Sequence, residues 1–369
     1  MVHSINARIG SDKFPVIIGN HLINDLDSYL KFYKKENVLI ICDNFFLNST
    51  DKVSKDLRTF LNKYNHHFID GGIEEKSVGS FLEVIKLLSK LNISRDGLIL
   101  GIGGGVVGDL TAFVASTYKR GINLVHVPTT TTAMIDSCLG GKTGLNYLDQ
   151  VNLIGTYHNP KAIFIDIQFL YSLKERDYYS GLCEAIKMAL TSDNKMVHRL
   201  LSLSNYVESK DNKALEEIIY WSILTKLRHV ADDAHEKAVR LILNYGHTFG
   251  QSIESFYGIN QDELRHGEAV ALGIKVASKL SFLINTDAHT KDSYKITNKL
   301  LQKYKLPVKF SDLAINRIPK LDYLVDNLIN DKKRLSDGNR FILSKRIGFA
   351  EIKIINNSEK IYESYKDIF

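Results

Sequence analysis

The amino-acid sequence predicts an α/β sheet domain followed by a helical domain. Short β-branched apolar runs alternate with amphipathic stretches through the first half, and strand signals nearly vanish from about Glu175 onward. The 369 residues also exceed the roughly 100–200 that one domain holds. The boundary is expected near residue 170, giving domains over 1–170 and 171–369.

Asn37 to Cys42 (NVLIIC) is the first buried strand of the expected sheet. Phe81 to Leu91 (FLEVIKLLSKL) places apolar residues at helical spacing and reads as a crossover helix. Gly97 to Ile102 (GLILGI), Asn123 to Val127 (NLVHV) and Ala162 to Ile165 (AIFI) supply further strands, with a helical run from Leu110 to Thr117 between the first two. Beyond the boundary, Gly181 to Leu190, Ala214 to Val230, Thr248 to Phe256 and His266 to Leu283 read as helices. Arg340 to Ser344 (RFILS) and Ala350 to Ile355 (AEIKII), joined by a glycine-containing turn, read as a hairpin.

Composition narrows the function. With 44% hydrophobic and 24% charged residues the chain is an ordinary globular protein, so disorder and fibrous repeats are excluded. Its 48 basic and 42 acidic residues leave a net +6, a mild excess that falls short of a nucleic-acid footprint. Cys42, Cys138 and Cys183 are odd in number and far apart, which points to buried reduced thiols. The start lacks an apolar signal core and no stretch of about 18 apolar residues occurs, so a soluble cytoplasmic protein is expected, with no membrane partner.

Three stretches carry chemistry. Gly101-Ile-Gly-Gly-Gly-Val-Val-Gly-Asp109 follows a strand and opens a helical run, where glycines let backbone N–H groups approach a diphosphate at the positive helix end. A tight strand-to-helix turn is the plainer reading, and the stretch lies far from the first strand turn where a Rossmann fingerprint belongs. Asp43, directly after a strand, suits a ribose hydroxyl or a helix cap. Val127-Pro-Thr-Thr-Thr-Thr132, Asp136 and Gly140-Gly-Lys142-Thr143 place hydroxyls, a carboxylate and a lysine after another strand. The first glycine of a phosphate loop is Asp136 here, which disfavours a Walker-type nucleotide triphosphatase; Lys142 is a candidate for an anionic substrate, or a solvated lysine. In the helical half, Glu184 and Lys187 share a helix face, and His247 and His266 stand at the edges of apolar helical runs beside glycines. One glutamate and two histidines form the ligand set of a catalytic zinc with an open position, although each histidine taken alone reads more readily as a cap or core residue.

At these residues the sequence resembles the sugar phosphate cyclases, specifically the 3-dehydroquinate synthases of the shikimate pathway, over nearly its whole length. The matching stretches are 103–109, Tyr118-Lys-Arg-Gly121, 127–130, Asp136 with Gly-Gly-Lys-Thr, Glu184-Ala-Ile-Lys187, Asn244-Tyr-Gly-His-Thr248, His266-Gly-Glu-Ala-Val270 and Asp331-Lys-Lys333. The resemblance implies a Rossmann-like N-terminal domain, a helical C-terminal domain, a catalytic NAD, a divalent metal (zinc, with cobalt as an alternative) and a homodimer. It implies that Glu184, His247 and His266 hold the metal, and that Asp43, Lys76, Gly104, Gly105, Val106, Asp109, Thr129, Thr130, Asp136 and Lys142 line the dinucleotide.

The implied reaction takes 3-deoxy-D-arabino-heptulosonate 7-phosphate to 3-dehydroquinate by transient oxidation, phosphate elimination, reduction and aldol closure. Lys142, Asn152, Asn244 and Lys333 would meet the phosphate, with Arg120 arriving from the other subunit; Lys226 and Arg240 would meet the carboxylate, Asp136 and Lys187 the ring hydroxyls, and Glu236 would relay protons. Relatives acting on sugar phosphates without a carboxylate characteristically differ at the arginine or asparagine position. Three positions depart from the family pattern: Gln251 stands where a second histidine is usual, Val151 where a lysine precedes Asn152, and Ile73 where an acidic residue precedes Lys76. These departures keep a specialised cyclase, such as an amino-dehydroquinate or cyclitol synthase, as the alternative. A net oxidoreductase of the same two-domain plan and a catalytically silent descendant are further rivals.

Overall fold

A computed structural model describes residues 2–148, 150–233, 236, 238–258, 263–329 and 339–369. In chain order the elements are β1 (His3–Ile9), β2 (Asp12–Gly19), α1 (Ile23–Leu30), β3 (Val38–Asp43), α2 (Phe45–Asn48), α3 (Lys52–Leu61), β4 (Asn65–Ile69), α4 (Val78–Lys90), β5 (Leu98–Gly103) and α5 (Gly105–Thr117). They continue with β6 (Asn123–Pro128), β7 (Lys142–Tyr147), β8 (Gln150–Tyr157), β9 (Ala162–Asp166), α6 (Glu175–Ser192), α7 (Asn194–Glu208), α8 (Asn212–Val230), α9 (His247–Tyr257) and α10 (His266–Asn285). The last are α11 (Ala288–Lys303), α12 (Leu321–Ile329), β10 (Asn339–Arg346), β11 (Phe349–Ile355) and α13 (Ser358–Lys366). Two compact units result: Met1–Tyr178 with Leu215–Ala234, and Tyr179–Ala214 with His235–Phe369. The first boundary falls inside α6, and most of α8 belongs with the first unit, a return that a single linear division near residue 170 does not contain.

The first unit is built on a seven-stranded sheet in the order β1-β2-β9-β6-β5-β3-β4, parallel except for the β1–β2 pair. The four expected strands are its centre, because strands covered on both faces must be apolar at nearly every position. β5 and β9 are buried throughout. The strands that the sequence reading omitted are of other kinds. β1 and β2 form an alternating hairpin, β4 is an edge strand with two histidines, and β7–β8 is a separate ribbon whose second strand is largely exposed.

Along the chain the parallel strands run β3, β4, β5, β6, β9, while across the sheet the order is β4-β3-β5-β6-β9. The direction of winding therefore reverses between β3 and β5, and the crevice outside their carboxyl ends is where such sheets bind ligands. α5 begins at Gly105, five residues earlier than expected. Glycine propensity hides its first turn, but packing holds it: a side chain at Gly103 would meet Val107 at 2.5 Å, and His126 on β6 lies 3.9 Å from where one at Gly108 would stand.

α8 lies along the hairpin side of this unit: Asn20 donates to Glu216 at 2.8 Å, and the Gly10 N–H donates to the Ala231 carbonyl at 3.0 Å.

The second unit is helical apart from the β10–β11 hairpin, which stands where the sequence placed it. α10 is its axis, buried at nearly every position from Gly267 to Ser281, and it packs against α9, α11, α13 and β10. α7, α11 and α13, absent from the sequence reading, are each preceded by a cap, Asp193, Asp287 and Asn357, whose side chains accept from backbone N–H groups of the first turn. All three cysteines are free and buried, and burial pushes the thiols up, that of Cys138 to about 12. Among the described residues no helix is long and apolar enough to cross a membrane.

Burial holds His126 neutral, its pKa lowered from the ordinary 6.5 to about 4, with His158 adding to the effect. The unfolded chain therefore binds a proton at this histidine between pH 6.5 and 4 that the folded chain refuses, so stability falls as pH drops through that window. The expected loss is on the order of 3 kcal/mol at full development. In His126→Leu the difference in urea midpoint between pH 7 and pH 4.5 should shrink relative to the parent; an unchanged difference would show that His126 titrates normally.

Candidate active site

The two sequence motifs of the first unit meet at the reversal point of the sheet. Asp43 ends β3, and its carboxylate accepts the Phe45 N–H at 3.0 Å. Burial raises its pKa, the backbone bond works against that, and Asp70 at the end of β4 adds to it. Beside it, Gly103-Gly104-Gly105 leads from β5 into the thirteen-residue α5, with Gly105 and Val106 in its first turn. Thr129 donates its N–H to the Gly103 carbonyl at 2.9 Å, and the Thr130 methyl sits 3.0 Å from where a side chain at Gly104 would stand. The loop is thus held by the segment just after β6 and leads directly into a helix start, a setting suited to a diphosphate.

Two charge pairs flank it. Lys76, 6% exposed, is ion-paired with Asp109 of α5. Burial raises the Asp109 pKa, while Lys76 opposes the rise. Lys226 of α8, 5% exposed, lies 2.8 Å from an Asp136 carboxylate oxygen and donates to the Asp136 carbonyl at 2.5 Å. Asp136 sits in a short π-helical turn, Ala133–Ser137. Lys142 is exposed and opens a strand, so no helix start stands behind it as in a phosphate loop. Asn152 has a φ of +57° in β8, and its N–H donates to the Asn146 side chain at 3.0 Å. Arg120 is exposed, next to Gly121 at φ +119°. Ile73 lies in a 3₁₀ turn (Ile73–Glu75), and the neighbouring Glu74 carboxylate occupies the space that a side chain at Gly72 would take. Val151 is 57% exposed.

In the second unit three helices converge. Glu184 of α6 is 1% exposed and ion-paired with Lys187 one turn on. His247 starts α9 and His266 starts α10; each Nε2 is 3.7 Å from the same Glu184 oxygen. Glycine makes the convergence possible. A side chain at Gly267 would stand 1.9 Å from the Ser180 carbonyl of α6, and one at Gly273 would stand 2.1 Å from the Gly246 carbonyl, just before α9.

Ligand atoms of Glu184, His247 and His266 lie within 4.8 Å of one another, the one such cluster among the described residues. Tetrahedral zinc with bonds of about 2.1 Å holds its ligand atoms roughly 3.4 Å apart, so the cluster fits a metal after small side-chain adjustments. His266 Nδ1 is 2.7 Å from Glu254, a residue the sequence reading missed although it lies two turns from His247 on the same helix. Burial disfavours charge on His266, but Glu254 and Glu184 outweigh it and raise its pKa to about 9. Asn244 donates to Glu236 at 2.6 Å, Arg240 is 3% exposed, and Gln251 is exposed on α9. Lys333 lies outside the described residues.

Residues 66–180 match the family described as 3-dehydroquinate synthase N-terminal, and residues 181–334 match 3-dehydroquinate synthase C-terminal. The 3-dehydroquinate synthase of Alkaliphilus oremlandii (strain OhILAs) is 33% identical over 367 residues, 98% of this chain and 96% of that protein. Among solved structures, a 2-deoxy-scyllo-inosose synthase complexed with carbaglucose-6-phosphate, NAD+ and Co2+ superimposes with a TM-score of 0.81 at 26% identity, over all of both chains. The 2-epi-5-epi-valiolone synthase of Streptomyces hygroscopicus subsp. jinggangensis 5008, with NAD+ and Zn2+ bound, shares the fold at a TM-score of 0.83, 24% identity and 98% coverage of each chain. The fold, α/β in one unit and helical in the other, is that of the dehydroquinate synthase-like cyclases. The chain belongs to the 3-dehydroquinate synthase family, a family of enzymes.

The cluster predicts one divalent ion per chain. Glu184→Gln or His247→Ala should leave the protein substoichiometric in zinc after gel filtration, measured by plasma mass spectrometry, and a strong chelator should strip the parent. Full zinc content in both variants would move the metal elsewhere.

Proposed function

We propose that the chain is a 3-dehydroquinate synthase that converts 3-deoxy-D-arabino-heptulosonate 7-phosphate to 3-dehydroquinate and phosphate, a step of the shikimate pathway. The observation that carries the reading is the Glu184, His247 and His266 cluster in a chain of this family. Glu184, His247 and His266 would hold the metal, which would supply Lewis acidity toward the substrate hydroxyl, and a bound NAD would supply a hydride acceptor that gives the hydride back, so neither would be consumed.

The residues then divide by charge. Asp43 would accept from the adenosine ribose, the Gly104-Gly105-Val106 turn would face the diphosphate, and Lys76, Asp109, Thr129 and Thr130 would line the cofactor. Lys142, Asn152, Asn244 and Lys333 would take the phosphate. Arg240 would pair with the carboxylate through its planar fork, with Lys226 beside it. Asp136 and Lys187 would contact the ring hydroxyls. Gln251 can hydrogen-bond but cannot shuttle a proton at neutral pH, and Glu236, which accepts from Asn244, would take part in the relay.

Gln251, Val151 and Ile73 favour a second reading, a specialised cyclase with another substrate; Arg240 and Asn244 favour the carboxylated one. Phosphate release against a panel of sugar phosphates decides. We expect turnover of the heptulosonate phosphate without NADH accumulation, and a loss of kcat/KM of at least two orders of magnitude in Arg240→Ala and Lys142→Ala, since each leaves a substrate charge unmatched. Faster turnover of a carboxylate-free sugar phosphate, or wild-type kinetics in either variant, would overturn the assignment.

We also propose a homodimer with Arg120 acting on the partner's substrate. The exposed side chains Val151, Leu153 and Tyr157 on β8, with Leu148 beside them, support an interface there. Mixing inactive Arg120→Ala and Lys142→Ala chains should regain part of the activity, because one site per mixed dimer is then intact. No recovery in verified mixed dimers would place Arg120 in its own chain's site.

A further inference from the structure

We infer that Glu254 is a positioning residue for the metal, holding the His266 ring so that its Nε2 faces Glu184 and thereby setting metal affinity. The inference rests on the metal-dependent reading above. It concerns a residue outside the ligand set: Glu254 Oε1 is 2.7 Å from His266 Nδ1, while His266 Nε2 is 3.7 Å from Glu184 Oε1. A neutral imidazole that donates from Nδ1 to a carboxylate must carry its lone pair on Nε2, the nitrogen turned toward the cluster.

His266 needs such a partner more than the other ligands do. It is the first residue of α10, and its side chain is 38% exposed, against 15% for His247 and 1% for Glu184. Packing therefore constrains it least. His247 turns its own Nδ1 toward the Tyr245 carbonyl at 3.4 Å, a backbone contact that is longer and uncharged. α9 thus supplies one ligand, His247, and seven residues later the group that orients the other. The two helices are packed backbone to backbone at Gly246 and Gly273, so the Glu254 carboxylate is delivered to His266 by a rigid contact.

The test measures metal binding, independent of turnover. Zinc affinity is taken from chelator competition, and the visible spectrum from the metal-free protein reloaded with Co2+, for the parent, Glu254→Gln and Glu254→Ala. Removal of such a partner should weaken zinc binding about 10–100-fold in Glu254→Ala and shift the cobalt spectrum. Glu254→Gln, which keeps an acceptor without the charge, should fall between, with the metal-free melting temperature near that of the parent. Wild-type affinity and spectrum in Glu254→Gln together with either wild-type behaviour or loss of fold in Glu254→Ala would overturn the inference, leaving Glu254 at most a packing residue. A parent protein that binds no zinc would instead defeat the metal-dependent reading itself.

Discussion

A carboxylate at 1% exposure inside a helical core is the constraint on which the second unit depends. Desolvating Glu184 costs several kcal/mol unless cations or a metal compensate. Lys187 on the same helix supplies one charge, and the starts of α9 and α10 bring two imidazoles to the same oxygen. Helix starts are not neutral choices for this purpose. Their N–H groups carry partial positive charge, so α9 and α10 add favourable potential where negative charge is buried. Such a convergence needs backbones closer than side chains permit, and the glycines at 246, 267 and 273 stand where the helices touch. The apolar length of α10 holds the arrangement rigid.

The first unit solves a different problem. Its sheet reverses winding between β3 and β5, which opens a crevice at the carboxyl ends of those strands. Asp43 and the glycine turn occupy that crevice because they are the residues that end those strands. The glycine stretch lies some hundred residues into the chain, which counts against a nucleotide fingerprint in sequence but not in space. Two elements, β1–β2 and β4, are complete before β5 is reached, and it is β5 that stands next to β3.

What the sequence disclosed follows from how each residue is constrained. Strands buried on both faces, and the helix buried all round, announce themselves because every position must be apolar. The hairpin β1–β2, the edge strand β4 and the ribbon β7–β8 have exposed faces and carry weaker patterns. The residues of the Glu184, His247 and His266 cluster were legible as residue types beside glycines. The partners of site residues were not: Asn244 with Glu236, Lys226 with Asp136 and His266 with Glu254 are pairings set by packing, separated by 8, 90 and 12 positions. The return of α8 to the first unit was hidden for the same reason, since its periodicity states that it is a helix and says nothing of which core it joins.

These pairings bear on how an anion would be received. In the first unit, Lys76 and Lys226 are each matched to a carboxylate before any ligand arrives. Each of these two buried lysines is balanced by its own carboxylate, so neither pair contributes to the chain's net charge of +6. Under the proposed function, a substrate carboxylate that meets Lys226 would share that ammonium group with the Asp136 carboxylate. The Coulomb gain of such a contact would be smaller than at an unmatched cation, which leaves more of the discrimination to geometry. On that reading selectivity would draw on shape as well as charge, and the short turn Ala133–Ser137 would set where Asp136 stands.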